Sequence, residues 1–543
     1  MLLQMYEGRA NMLRIDIKLP IKYTENDIKT KICAVFPVTK EDVLSYEILK
    51  LSLDLSNKCS ICYKAAIGVC FCSELEEKFK LRKKVCREVT PLAFEYGSYN
   101  LNGLFPVVIG AGPCGLFAAL TLAEAGARPI VLERGDAVDE RAKKVNAFIK
   151  HGNLDPESNV QFGEGGAGTY SDGKLKAGSL DKYKYKILRD FVNAGATPDV
   201  LYSATAHLGT DKLPEIIKSI RNKIISLGGT FIFGARFTEF VYSGEALTAV
   251  KYITRDGYEN TLPCTDAILA IGHSARDTIT HLYESGFSIV PKSFGIGMRI
   301  EHPREYINEL VYGKNYDKSL ETATYHLVTH LANGRSVYSF CMCPGGTVVP
   351  AASELGGVVT NGMSEFARDA DNSNSALLVS VTPEDFASDH PLAGIELQRS
   401  IEQRAFALLG GSYAAPSVKM GELKDNIAPS GAWSSVRPSY SRGTLPLSPR
   451  EYLPNYVVDS LTESFSDFNA WMGGFYLPEA VLTGPETRTT SPIRMIRNEQ
   501  TKEALAHPHV YPSGEGAGYA GGIVTSACDG MLSALALLEK HKK

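Results

Sequence analysis

Alternating apolar and polar residues open the patterned part of the chain: MLRIDIKLP, from Met12, reads as a strand. TENDIKTKICAVF places its apolar residues at helical spacing, with Thr24 as N-cap. DVLSYEILKLSLD and ICYKAAIGVCFC read as strands. SELEEKFKLRKK reads as a helix, with Ser73 at its cap and Glu76 three residues later, and VCREVT as a closing strand. The order βαββαβ predicts an N-terminal ferredoxin-like α+β domain within residues 1–95, a fold that hosts many functions.

Residues 91–102 read as a linker. After it, GLFPVVIGAGPCGLFAALTLAEAGARPIVLERG gives a buried strand, a glycine turn, an Ala/Leu-rich helix and a second strand. LPEIIKSIRNKIISLGG is an amphipathic helix ending on Gly228 and Gly229, followed by the strands TFIFGARFTEFV, ALTAVKYITRD and DAILAIG. From about 291 to 480 the texture changes. Strands such as SFGIGMRIE, RSVYSFCMC and ALLVSVT mix with the helix GIELQRSIEQRAFALLGG and a Pro/Ser-rich stretch at about 415–455. The end, GYAGGIVTSACDGMLSALALLEKHKK, is a helix entered through glycines. The fold class is therefore α/β. A Rossmann-like domain, split into 103–285 and 482–543, carries an inserted mixed α+β substrate or cap domain over 286–481.

The 543 residues give room for about three domains. Lys+Arg is 57 against Asp+Glu 61, a net charge of −4, which argues against non-specific nucleic-acid binding. No apolar run reaches the roughly 18 residues of a membrane helix. MLLQMYEGRANMLRIDIKLP has no basic start leading into a long apolar stretch, so no signal peptide is expected, and Met12 is a candidate start. The 11 cysteines are expected as reduced thiols in a cytoplasmic protein.

Gly110, Gly112 and Gly115 form G-x-G-x-x-G between the strand PVVI and its helix, with Pro113 and Cys114 inside the turn. Gly110 allows the tight turn, Gly112 lets the backbone approach a pyrophosphate, and Gly115 lets helix and strand pack closely. The helix N-terminus offers free N–H groups to phosphate. Glu133, ending the next strand and followed by Arg134, can accept from ribose hydroxyls. In QFGEGGAGTYSDGKLKAG, Gly165, Gly166 and Gly168 permit close backbone approach, and Ser171 and Lys174 can donate to phosphate or to a ring.

FAD and NAD share the βαβ unit, and VYPSGEGAGYAGGIVTSACDG separates them. It resembles the closing G-[DE] segment of FAD enzymes of the glutathione-reductase-like superfamily. That resemblance implies Gly514 and Glu515 at the ribityl–phosphate region, with Gly522 and Ile523 opening a helix toward the pyrimidine end of the flavin. It also implies a second FAD contact at Ala270 and Gly272, and adenine near Ala235 to Phe237. FGEGGAGTYSDGKL, AIGHSARDT, GMRIEHP, RSVYSFCMCPGG, GGVVTNGMS, GPETRTTSPIR and YPSGEGAGYAGGI together resemble the family of bacterial FAD-dependent dehydrogenases, also called NAD(P)/FAD-dependent oxidoreductases. The resemblance covers nearly the whole chain and implies FAD binding and oxidoreduction without naming a substrate.

No second G-x-G-x-x-G follows a strand, and no redox C-x-x-C follows Cys114 on the dinucleotide domain, which argues against a disulfide-reductase mechanism. Beyond the FAD motifs, Cys343 in CMCPGG is a candidate nucleophile or redox thiol. His273 is a candidate acid or base, and Arg488 a candidate carboxylate clamp, ahead of Arg494, Arg497, Arg299, Glu301 and His302. Cys59-x-x-Cys62 and Cys70-x-Cys72 read as packing thiols, with no metal expected, and LRKKVCR as a solvated helix end. The expected chemistry is hydride transfer between an organic small molecule and flavin, with NAD(P)H a candidate donor and quinone, oxygen or a protein a candidate acceptor. Two alternatives stand beside it: a flavin-dependent RNA-modifying protein gripping RNA through the N-terminal domain, and a non-catalytic FAD-binding sensor.

Overall fold

A computed structural model describes residues 12–80, 86–90, 92–175, 178 and 180–543. The readings of the first 11 residues and of the basic helix end at 81–85 lie outside the described residues, as do parts of the linker and of the glycine loop. The chain divides into two units.

The first unit holds Met1–Glu95 together with Leu175–Ala206 and Tyr312–Glu321. Its elements are β1 (Met12–Leu19), α1 (Glu25–Val35), β2 (Ser45–Asp54), β3 (Cys62–Cys70), α2 (Ser73–Lys80) and β4 (Arg87–Val89). The sheet order is β2-β3-β1-β4, with β1 antiparallel to β3 and β4, and β2 antiparallel to β3. Thr24 caps α1 as the sequence predicts: its own N–H donates to Asp27 at 2.8 Å, and its hydroxyl accepts from the Asp27 N–H. The second cap falls one residue early. Ser73 is already helical, and Glu76 accepts from the Phe71 N–H at 3.2 Å. Phe36, Phe71 and Phe79 pack edge-on and tilted in the core.

The expected flavin segment 103–285 is interrupted at Leu175–Ala206, which joins the first unit. The reason is a local sheet contact. The Leu51 N–H donates to Tyr202 O, and the Ala204 N–H donates to Leu51 O, each at 2.9 Å.

The second unit comprises Tyr96–Lys174, His207–Val311 and Thr322–Lys543. It opens with β5 (Pro106–Ile109), α3 (Pro113–Glu124), β6 (Ile130–Glu133) and α4 (Val138–His151). The intervening α5 (Lys182–Asn193) belongs to the first unit. Next come α6 (Leu213–Ser226), β7 (Thr230–Phe233), β8 (Ala235–Ser243), β9 (Ala246–Thr254), β10 (Glu259–Pro263), β11 (Asp266–Leu269) and α7 (Arg276–Glu284). One predicted strand, TFIFGARFTEFV, is two: Gly234, at φ +65, breaks it between β7 and β8.

Then follow β12 (Ile289–Pro291), β13 (Phe294–Pro303), α8 (Arg304–Tyr312), β14 (Val328–His330), β15 (Ser336–Cys343), β16 (Thr347–Pro350), β17 (Thr360–Met363) and β18 (Asn372–Val381). The chain finishes with α9 (Ala393–Leu408), β19 (Ala415–Lys419), α10 (Met420–Lys424), β20 (Thr444–Pro446), α11 (Asn455–Trp471), β21 (Val481–Glu486), β22 (Ile493–Met495), β23 (Val510–Pro512) and α12 (Ile523–Glu539).

Five parallel strands run β23-β11-β5-β6-β7, so a strand from the chain's last part lies beside β11. A three-stranded antiparallel sheet, β10-β9-β8, follows the amphipathic α6 and β7 in sequence. A larger sheet runs β14-β15-β18-β13-β21-β19-β20. The boundary expected at 481/482 falls inside its fully buried strand β21, which pairs with both β13 and β19. α11 covers this sheet with Val457, Leu461, Phe465 and Phe468, four buried residues at helical spacing.

Candidate cofactor and active site

Two helix N-termini open on one cavity. α3 starts at Pro113 after Gly112, and α12 at Ile523 after Gly522. Neither has a side-chain cap, so their first N–H groups are left for an acceptor from outside the helix. A Cβ built on Gly272 or Gly522, both on the cavity wall, would meet nothing within 4 Å. One on Gly110 would strike the Ala270 carbonyl, and one on Gly115 the Gly110 carbonyl. The motif glycines thus serve two ends: Gly110 and Gly115 let elements touch, and Gly112 and Gly522 line space.

Glu133 is buried at the end of β6. Its Oε1 accepts from Gly135 N at 2.9 Å and Gly163 N at 3.0 Å, and Oε2 from Ala111 N at 2.8 Å. Oε2 keeps a lone pair for a hydroxyl in the cavity. Arg134 beside it is clamped by Glu157 (2.9 and 3.1 Å) and Asp277 (2.9 and 3.0 Å) and stacks 4.2 Å from the Phe162 ring centroid. It lines the cavity as a locked wall.

The glycine loop is held from behind by Arg141, a residue the sequence reading misses. Its buried guanidinium donates to the carbonyls of Asn159, Val160, Gly163, Glu164 and Gly166 at 2.7–3.3 Å. Ser171 turns inward, donating to Gly168 O at 2.7 Å and accepting from Gly173 N at 3.0 Å. Lys174 donates to Met342 O and sits 3.6 Å from Asp172. Asp172 is buried and paired with Arg368 at 2.5 Å.

Pro113, Cys114, Gly166, Gly168, Phe237, Ala270, Glu515 and Ile523 also lie on the wall. Three expected cofactor contacts do not. Gly115 packs on Gly110, Gly165 on Thr169 and Ile217, and Gly514 on Cys114.

The larger sheet supplies another part of the wall through Phe340, Cys341 and Glu486, joined by Asn361 of β17 and by Arg488 just beyond β21. Arg299 and Glu486 form a buried two-bond pair at 2.6 and 2.9 Å. Arg299 Nη1 also donates to Cys341 O at 2.8 Å and Asn374 at 3.0 Å, and Nη2 donates to Asn361 at 3.0 Å. The expected thiol, Cys343, is fully buried and off the wall, and Cys341 stands there instead. The cause is a β-bulge. Cys341 and Met342 face the single Ser375 of β18, and Cys341 adopts φ +41. The neighbouring Cys343, with the nearby charges of Arg299 and Lys174, lowers the Cys341 thiol below its ordinary value. Burial and the Cys341 charge push Glu515 up to about 7.

Arg488 lines the cavity, but its guanidinium is committed. It bonds Glu402 at 3.2 and 2.8 Å and donates to Ser353. Glu402 is also held by Arg276 at 2.9 and 2.8 Å, and Arg276 reaches Glu354 at 2.7 Å. Two flanking guanidiniums hold the buried Glu402 carboxyl far below the usual range. This corrects the carboxylate-clamp expectation: Arg488 spends its donors on an internal carboxylate. His273 Nε2 lies 2.9 Å from Arg488 O, and burial pulls the imidazole down to about 4. At neutral pH the ring is uncharged, with one nitrogen engaged. On the first unit, Cys62 and Cys70 end opposite ends of β3, about 26 Å apart at a strand's rise per residue, too far for one metal site.

An FAD-binding domain model matches residues 106–147, and a model described as "FAD-dependent protein, C-terminal domain-like" matches 293–489. The donor set fits the cofactor, with the uncapped α3 N-terminus suited to phosphate, the uncapped α12 N-terminus suited to the electron-rich end of the flavin and Glu133 suited to a ribose hydroxyl. The class is therefore that of FAD-binding flavoproteins. A relative from Clostridium beijerinckii, described only as "Uncharacterized protein", is 42% identical over 536 residues, covering 97% of this chain and 98% of its own. The chain belongs to this family of FAD-dependent proteins. Among solved structures, a 3-ketosteroid-Δ4-(5α)-dehydrogenase from Rhodococcus jostii matches with TM-score 0.35 and 12% identity, over 81% of this chain and 96% of its own. AlpK matches with TM-score 0.30 and 14% identity, over 82% of this chain and 63% of its own. Among the described residues, no helix is long and apolar enough to cross a membrane.

Proposed function

We propose that this protein is a cytoplasmic FAD-dependent dehydrogenase that exchanges a hydride between an organic small molecule and flavin, with NAD(P)H as electron donor. In this reading residues 103–174, 207–285 and 487–543 form a split flavin domain, 286–486 a substrate domain, and 1–95 with 175–206 a ferredoxin-like domain. One observation carries it: the uncapped N-termini of α3 and α12 share a cavity wall with polar side chains from the larger sheet.

Bound FAD supplies the hydride-accepting ring. The α3 N-terminus and Gly112 receive the pyrophosphate, and Glu133 Oε2 takes a ribose hydroxyl. The α12 N-terminus, opened by Gly522 and Ile523, favours negative charge at the pyrimidine end. Glu515, whose carboxyl burial raises to about 7, can give or take a hydrogen bond at the ribityl region. Arg488 and His273 act as positioning residues, joined to each other through the Arg488 carbonyl.

The test is the visible spectrum of the purified protein, followed anaerobically as NADPH and then NADH are added. Flavin bands that bleach are expected. Absence of flavin after incubation with FAD overturns the reading. Bands that no donor bleaches favour the sensor.

A further inference from the structure

The cavity wall carries the Cys341 thiol, with that of Cys343 buried close by, and the hydride reading uses neither. We propose that Cys341 and Cys343 form a redox-active dithiol that reduces a small disulfide compound entering the cavity and is itself re-reduced by the flavin. The inference rests on the flavin reading above and names its substrate class; it places the dithiol on β15 and not after Cys114, where the sequence has no redox pair.

In a regular strand, residues i and i+2 share a face, and both thiols would have the same exposure. The bulge at β15 separates them. Cys341 reaches the cavity, while Cys343 stays buried beneath it with its sulfur 3.4 Å from the Cys341 carbonyl oxygen. The bulge is pinned by cations: Arg299 donates to Cys341 O at 2.8 Å and lies 3.8 Å from the Cys343 sulfur, and Lys174 donates to Met342 O. A left-handed φ at a non-glycine residue is unfavourable by itself and persists only where surrounding bonds impose it. The neighbouring Cys343 and these charges lower the Cys341 thiol, while Cys341 and burial raise that of Cys343, so the exposed sulfur is the more readily ionised of the two. The accessible sulfur is the attacker, and the buried one resolves.

The Cys341 thiolate attacks one sulfur of R–S–S–R, forming Cys341–S–S–R and releasing RS⁻. Cys343 then attacks the Cys341 sulfur and expels the second RS⁻, its proton passing to a released thiolate. The pair is left as a disulfide beside RS⁻ and RSH. Two electrons and one proton from the reduced flavin break the Cys341–Cys343 bond and restore one thiolate and one thiol. The nicotinamide donor then reloads the flavin.

The test uses the flavin-loaded full chain. Holoprotein oxidised in air, and the same protein reduced by NADPH, are acid-quenched, alkylated and mapped by mass spectrometry. The expected result is an unalkylated, cross-linked 341–343 peptide before reduction and a doubly alkylated one after it. Anaerobic reductive titration should consume about two electrons more per flavin in wild type than in Cys341→Ser or Cys343→Ser. Oxidised glutathione should restore the flavin bands of reduced wild type at least about tenfold faster than those of Cys341→Ser. Both cysteines alkylated in the oxidised protein, with equal electron uptake in all three proteins, overturns the dithiol. The spectra separate that outcome from failure of the flavin reading: bands present and bleached by donor leave the latter standing. The mapping needs only wild type, so it decides the question even where a variant fails to fold.

Discussion

The two ends of the cavity are made of different material. At the dinucleotide end the groups are backbone: glycines, helix N–H donors, and Glu133, whose amide partners lie 22, 2 and 30 residues away in sequence. Behind the rest of its wall stand buried ion pairs whose partners are remote in sequence: Arg299–Glu486 across 187 residues, Arg368–Asp172 across 196, and Arg276–Glu402 across 126. A backbone site can be specified by short spacings. A site of buried ions needs the whole fold to bring its charges together, and fails as a set when one is removed.

The sharpest way to break this contrast is Glu402→Leu, which strands two buried guanidiniums. It should lower stability by about 3–5 kcal/mol, measured by thermal or urea unfolding. A loss under about 1 kcal/mol would mean that the ion cluster does not act as a unit. At the backbone end, Gly115→Ala forces a methyl onto the Gly110 carbonyl. It should lower stability by about 2–3 kcal/mol and deplete flavin in the purified protein, read from the ratio of visible to ultraviolet absorbance.

A smaller effect follows from Glu515, whose carboxyl holds its proton up to about 7 in the folded apoprotein against about 4.5 when unfolded. The folded state therefore binds more protons than the unfolded state between these values. Its contribution is full below about 4.5 and is lost as pH rises through about 7. Stability of flavin-free protein should fall over that window, and Glu515→Gln should flatten the slope. The smallest expected change is Arg134→Lys, which keeps the charge but gives up the planar fork between Glu157 and Asp277. It should lower stability by about 1 kcal/mol, seen as a small shift in Tm.

Legibility follows the same divide. The glycine turn, Glu133 and the closing helix stand in the sequence because each is a local pattern. α11 escapes the sequence reading although its apolar residues repeat at helical spacing, because a Pro/Ser-rich stretch precedes it. Cys343 is favoured over Cys341 there because strand alternation treats the two alike, and only the pairing with β18 reveals the bulge. Arg488 looks free in the sequence because Glu402, its partner, sits 86 residues earlier on another element. Arg141 lies on an ordinary amphipathic helix, and nothing nearby announces the five carbonyls it gathers.

The meeting of α12 with α3 also sets a schedule for synthesis. Gly530 passes so near Cys114 that a side chain there would strike the Cys114 carbonyl, and β23 completes the parallel sheet beside β11. A nascent chain leaves the ribosome with the glycine turn formed but one wall of its nucleotide crevice still untranslated. At about 5–20 residues per second, the interval between Gly115 and Gly530 is roughly 20–80 s. Flavin capture is thus a late event in the life of each molecule, and chains truncated before the final helix should leave translation colourless.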